Sequence, residues 1–401
     1  MEISKNDLSM IFISTFGYLV WLLAFPMFGP IADNYLGGLR ALSIEKGRFI
    51  QLFLTSMILS SVASGYLVDK LKKRLIFIWL TTLIASLLTF SFLWLNRISE
   101  IFLFSFMLGL AAGMSPAALG SFFSDHVSPE DRGRVMSLPV GLSMSIAYLF
   151  LMAESFDLTN TVIMIITSMY LITIFTLVLK PNETVHETSP AKGRKGVTIK
   201  QVVYYASPLF LFYWVVGILF SMVFPTVRGL VTNQVFYLVW AIPFMFGSFL
   251  GGILLDAMGR KLPMIMGLAI TGVSLAIFGV LGISLGYPFI ISLAIGFSLV
   301  MVSSFIVWAD LAPINARGIY YGAGTGLMAF GVMVGLFSTG TIFGSISVSE
   351  IKSYILFSSV ALFLCIPPLI MAEDLLPKEL IEKRKLQEYL ELARRKYVRR
   401  D

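Results

Sequence analysis

The chain has 401 residues, 57% of them hydrophobic and only 13% charged, with mean hydropathy +0.86 and a formal net charge of +7. An ordinary soluble domain carries about 25% charged residues, so a chain this apolar cannot cover itself with polar surface and must face lipid. The single cysteine, Cys365, excludes a disulfide framework or a cysteine metal cluster; both histidines, His126 and His186, fall in polar connecting segments, so no metal site and no cofactor is expected.

Taken in order, twelve apolar runs are long enough to cross a bilayer, which takes roughly 20 residues of helix. The first half contributes about 8–32, 48–68, 75–95, 99–123, 134–153 and 159–179; the second contributes about 203–227, 233–255, 262–283, 287–309, 318–344 and 350–371. Helices are the reading because each span must satisfy its own backbone in hydrocarbon. The first run follows Lys5 and exceeds the roughly 7–15 residues of a signal-peptide core, so it counts as a span. The predicted fold is an all-α membrane protein: a six-helix bundle at 1–180, a polar cytoplasmic linker at 181–201, a second six-helix bundle at 202–372 and a charged tail at 373–401.

Lysine and arginine set the orientation. With the N-terminus inside, the outer segments hold Arg40, Lys46, Arg48, Arg97, Arg228 and Lys352, and the other 24 of the 30 basic residues fall on the inner side. Both termini are therefore expected in the cytoplasm, and the positive charge reports topology and anionic lipid rather than nucleic acid. In the tail, Leu376, Leu380, Leu386, Leu390, Ala393 and Tyr397 form a stripe at roughly helical spacing. That stripe suits a helix lying on the inner lipid surface or a solvated terminal helix.

One half-chain unit is written twice. Gly65-Tyr-Leu-Val-Asp69-Lys-Leu-Lys-Lys-Arg74 follows the second run, and Gly252-Ile-Leu-Leu-Asp256-Ala-Met-Gly259-Arg260-Lys261 follows the eighth. Asp125 precedes Arg132 by seven residues, and Asp310 precedes Arg317 by the same seven. A carboxylate at the inner end of one helix can meet the electropositive N-terminus of a neighbour, and basic residues beyond it can pair with an acid from another helix end.

Twelve helices in two repeats, each with this turn, resemble the major facilitator superfamily over about residues 8–372. Gly65, Asp69, Lys73 and Arg74 fit its turn pattern, with Lys70 in place of the arginine and Lys72 where the second glycine belongs; Gly252, Asp256, Gly259, Arg260 and Lys261 fit in the later copy, with Ala257 after the aspartate. The resemblance implies a clamp between the two halves on the cytoplasmic side. Asp69 would face the start of helix eleven and Asp256 the start of helix five. Lys73 or Arg74 would pair with Asp125, and Arg260 with Asp310; Arg132 and Arg317 complete the expected gate. It also implies that helices two and eleven, and five and eight, cross at the boundary between bundles. Small residues agree: Ser56, Ser60 and Ser64; Ser137, Gly141 and Ser145; Gly247 and Gly251; Gly322 and Gly326. Phe25-Pro26 and Phe224-Pro225 are placed to bend helices one and seven.

The resemblance places the substrate mid-membrane between helices one, four, seven and ten. Tyr18, Trp21, Tyr213, Trp214 and Ser304 are the candidate contacts, since aromatics with a polar tip suit a partly apolar or hydroxylated ligand. No acid or base lies near the centre of those helices. Intramembrane charges mark ion and substrate paths, so a small neutral or amphipathic organic solute is expected. Asp33 and Glu154, near outer helix ends, are the candidate carboxylates for coupling to a proton or ion. The expected protein is a monomeric plasma-membrane transporter, secondary active or facilitative, working by alternating access. The alternative is a non-transporting membrane sensor on the same fold. An enzyme is not expected: Ser124-Asp125-His126 are consecutive on a helix and do not face one another.

Overall fold

The computed structural model describes residues 13, 16–22, 43–95, 97–154, 159–177, 198–224, 233–281, 286–339, 348–376 and 382. The helices among them are α1 (16–22), α2 (Ser43–Leu71), α3 (Arg74–Ser91), α4 (Ile98–His126), α5 (Arg132–Glu154), α6 (Thr159–Leu177), α7 (Ile199–Ile218), α8 (Asn233–Met258), α9 (Lys261–Leu281), α10 (Gly286–Leu311), α11 (Arg317–Ser338) and α12 (Val348–Leu364), which the short helix Ile366–Met371 follows. Nine spans among the described residues are long and apolar enough to cross a membrane. Large apolar side chains such as Leu59, Leu103, Phe246 and Val280 stand exposed around the bundle, an arrangement that water would penalise and lipid accommodates.

The helix pairings repeat with a shift of six. In the first half α2 packs on α4, α3 on α4 and α3 on α6; in the second half α8 packs on α10, α9 on α10 and α9 on α12. The contacts between halves follow the same rule: α5 runs along α8 as α11 runs along α2, and α4 meets α11 as α10 meets α5. The duplicated sequence thus folds as two pseudo-equivalent bundles.

Helix ends differ from the expected ones in small ways. α2 starts at Ser43, earlier than the apolar run, and α7 starts at Ile199, inside the segment read as linker. Thr198 explains the latter: its hydroxyl accepts from Gln201 N–H and caps the helix. α7 then passes into a π-helical turn at Leu219–Val223, ahead of the Phe224-Pro225 pair. Pro26, Pro225 and Asp33 lie outside the described residues, as does nearly all of the tail beyond Leu376, including the stripe from Leu380 onward.

Candidate functional site: a clamp between the two halves

At one end of the bundle the backbones of the two halves come together at four glycines. A Cβ on Gly65 would lie 2.5 Å from the carbonyl oxygen of Gly318, and a Cβ on Gly252 would lie 2.5 Å from that of Gly133. Any side chain there would push the halves apart, so the absence of one lets α2 meet the start of α11, and α8 meet the start of α5.

That approach brings each turn aspartate onto a helix start. Asp69 accepts from Gly318 N–H through Oδ1 and from Ile319 N–H through Oδ2, both at 2.8 Å. Asp256 accepts from Gly133 N–H at 2.8 Å and Arg134 N–H at 2.9 Å. Each carboxylate satisfies two orphan donors of a helix in the opposite half and faces its positive end. The geometry matches the expected destinations of Asp69 and Asp256.

The remaining charges form two triads. Asp125, at the end of α4, receives Arg74 from its own half and Arg317 from the other. Asp310, at the end of α10, receives Arg260 Nε from its own half at 2.7 Å and Arg132 from the other. Of Lys73 and Arg74, it is Arg74 that reaches Asp125; Lys73 is the N-cap residue of α3 and makes no side-chain cap hydrogen bond. Arg260 also bonds Asp256 at 2.9 Å and the carbonyl of Leu255 at 2.8 Å, and it donates to the Pro129 carbonyl across the boundary. Burial disfavours the charge on Arg260, but Asp310 and Asp256 outweigh that effect and the net shift of its pKa is upward. The partners of Arg132 and Arg317 were not read from sequence. The signal was there in the repeated seven-residue step from aspartate to arginine, but it names no partner, and the partner lies in the other half.

Just inside the clamp lies an aromatic layer, of which only Tyr18 is among the sequence candidates, as a substrate contact. The Tyr18 ring meets Phe305 edge-on at 5.8 Å and Phe123 at 6.3 Å. Tyr321 lies against Gly120, and its hydroxyl receives a bond from Ser124 Oγ at 3.3 Å. Tyr18 and Phe123 belong to the first half, Phe305 and Tyr321 to the second. Farther along the boundary, Ser145 donates to the Ala241 carbonyl at 2.8 Å, and Tyr148 packs on Trp240 and Tyr237.

The candidate substrate contacts do not converge on one point. Tyr213 and Ser304 join α7 to α10 through their hydroxyls at 2.9 Å. Trp21 is buried against Tyr170 of α6, within the first bundle. Trp214 meets Phe357 of α12 at 5.6 Å and lines an apolar groove with Phe210, Val334 and Leu364, apart from the Tyr213–Ser304 pair. Glu154 ends α5, and its side chain lies outside the described residues.

Comparison with known proteins agrees with this architecture. The family profile described as Major Facilitator Superfamily matches residues 8–336. Among solved structures, the fold is similar to that of the human organic anion transporter MFSD10 (TETRAN), with TM-score 0.69 and 13% identity over 91% of this chain and 100% of that one. At that identity the likeness concerns the fold. Comparison with curated protein sequences gives no match.

Proposed function

This chain belongs to the Major Facilitator Superfamily, a family of membrane transporters, and from that premise we propose that it carries a small neutral or amphipathic organic solute by alternating access, with the clamp as its cytoplasmic gate. The observation that carries this reading is how the clamp divides between and within the halves. Arg132–Asp310, Arg317–Asp125 and the two capped helix starts join the halves, whereas Arg74–Asp125 and Arg260–Asp310 each lie within one half.

When the halves part, each aspartate loses one arginine and keeps the other. A buried charge stripped of its partner costs about 3–5 kcal/mol; this arrangement leaves neither carboxylate in that state. Arg132 and Arg317 are the first residues of α5 and α11, so parting admits water to them. A carboxylate at a helix start contributes about 0.3–1 kcal/mol, up to about 2 in partly buried settings. Each cap therefore biases the equilibrium by about two- to fivefold, and by up to about thirtyfold where partly buried, which suits a gate that must reopen.

The inner-side excess of basic residues supports placing the clamp in the cytoplasm. The lack of any charge at the middle of the fourth, seventh or tenth span supports a neutral or amphipathic solute, with the Tyr213–Ser304 pair as a hydroxylated contact. MFSD10 transports organic anions; this chain has no mid-span cation on those helices to hold one.

Reconstitution into proteoliposomes tests the reading. Uptake of tracer sugars, amphipathic drugs and organic anions is measured at two pH values, and saturable flux of a neutral or amphipathic solute is expected. Flux of organic anions alone would overturn the solute class, and saturable binding without flux would point to a sensor. For the gate, Asp69→Asn and Asp256→Asn should each speed maleimide labelling of a cysteine placed just inside the clamp; unchanged labelling in both would remove the gate from the account.

A further inference from the structure

The second clamp has a support that lies away from the boundary between the halves. After the short helical turn Ile366–Met371, the chain leaves in extended conformation at Ala372 and passes under the α8–α9 turn. There Asp374 accepts from Arg260 N–H at 2.9 Å through Oδ1 and from Lys261 N–H at 3.3 Å through Oδ2. Its Oδ1 also receives Leu376 N–H at 3.0 Å, which fixes the carboxylate on its own backbone. Gly259, at φ +95°, makes room: a Cβ there would collide with the Asp374 carboxylate.

The segment is tied down at several further points. Lys261 Nζ donates to the carbonyls of Ile370 at 2.6 Å and Ala372 at 2.9 Å. Tyr205 of α7 donates its hydroxyl to the Glu373 carbonyl at 2.9 Å, and Gln201 reaches the Glu373 carboxylate at 3.3 Å. Leu375 and Leu376 are buried. Residues 370–376 are thus a strap joining α12, α7 and the α8–α9 turn, and all of these belong to the second half.

Arg260 is where strap and clamp meet. Its backbone N–H is held by Asp374, while its guanidinium reaches Asp310, Asp256 and Pro129. We infer that Asp374 is a positioning residue for the gate: by fixing the α8–α9 turn it holds the Arg260 guanidinium in place to receive the first half each time the clamp closes. The strap bonds named above all stay within the second half, and the one that meets a clamp residue is Asp374 to Arg260. Residues 373–376 of the strap are the first residues of the charged tail, so the start of that tail meets the gate through this carboxylate. The inference rests on the gate reading above.

A double-mutant cycle tests it. The readout is the maleimide labelling rate of Ser124→Cys in a Cys365→Ala background, in purified full-length protein. Ser124 is buried between the halves beneath the clamp. Arg260→Gln should raise the rate on the order of tenfold. Asp374→Ala should raise it about fivefold, as expected for loss of a helix-capping acceptor. The two changes together should do no more than Arg260→Gln alone, since one acts through the other, whereas Asp374→Ala and Asp69→Asn should multiply. Asp374→Asn serves where the alanine variant fails to fold; it keeps the shape and loses the charge, and a smaller rise is expected. If Arg260→Gln opens the clamp while Asp374→Asn and Asp374→Ala label at the parental rate, or if Asp374→Ala multiplies fully with Arg260→Gln, the inference is overturned and the gate stands. If Arg260→Gln leaves labelling unchanged, the gate itself falls and takes the inference with it.

Discussion

The two triads contain the same residue types at nearly the same offset, yet they sit in different surroundings. Around Asp125, the Arg74 and Arg317 side chains keep 14% and 9% of their surface exposed. Around Asp310, Arg132 keeps 2% and Arg260 none. The first triad has water at hand and the second is dry. Duplication preserved the chemistry, and packing made it unequal: a charge with access to water can be resolvated when its partner is lost, but a charge sealed in the protein cannot.

The largest test of this contrast removes each carboxylate in turn. Asp310→Ala takes the shared carboxylate from two buried guanidinium groups, of which Arg260 keeps Asp256, and should cost about 3–5 kcal/mol of the clamped state. Asp125→Ala takes it from two that remain partly exposed and should cost roughly half as much. Thermal unfolding together with labelling beneath the clamp measures both. Equal losses would mean that exposure of the arginines does not decide the outcome.

A smaller and deliberately symmetric perturbation comes from the glycines. Gly65→Ala and Gly252→Ala both place a methyl group 2.5 Å from a backbone oxygen of the other half. A backbone oxygen cannot rotate away, and at Gly252 the Ser137 side chain crowds the methyl as well, so the helices themselves must separate, at about 1–3 kcal/mol each. The two variants should open the clamp to a similar extent. A matched pair here beside an unmatched pair at the aspartates would locate the asymmetry in electrostatics and not in backbone fit.

The sequence carried the parts of this arrangement that repeat. Spans, their number and the duplication follow from apolar length and from Asp69 and Asp256, because hydrocarbon allows so few ways to bury a backbone. The landing points of those two aspartates came with the family resemblance and agree with the geometry. What it could not carry was choice among partners. Arg132 and Arg317 find theirs in the opposite half, and helix-end charges give no rule for that selection. Asp374 reads as the start of a charged tail, since nothing local says that the chain folds back. Tyr213 and Trp214 show a limit set by helix geometry: consecutive residues point about 100° apart, and Trp214 turns toward α12 while Tyr213 turns toward α10.

The smallest effect concerns the turns beneath the triads. In the second half the left-handed position is Gly259 at φ +95°; in the first it is Lys72 at φ +54°. A side chain in that region costs about 1–2 kcal/mol, while glycine gives back roughly 0.5–1 kcal/mol through the freedom of the unfolded chain. Lys72→Gly should therefore stabilise the protein by about 0.5 kcal/mol. Lys72 is exposed and takes no part in the triads, so labelling beneath the clamp should stay at the parental rate while the unfolding transition moves up slightly. A change in labelling would mean that the first turn, like the second, communicates with its triad.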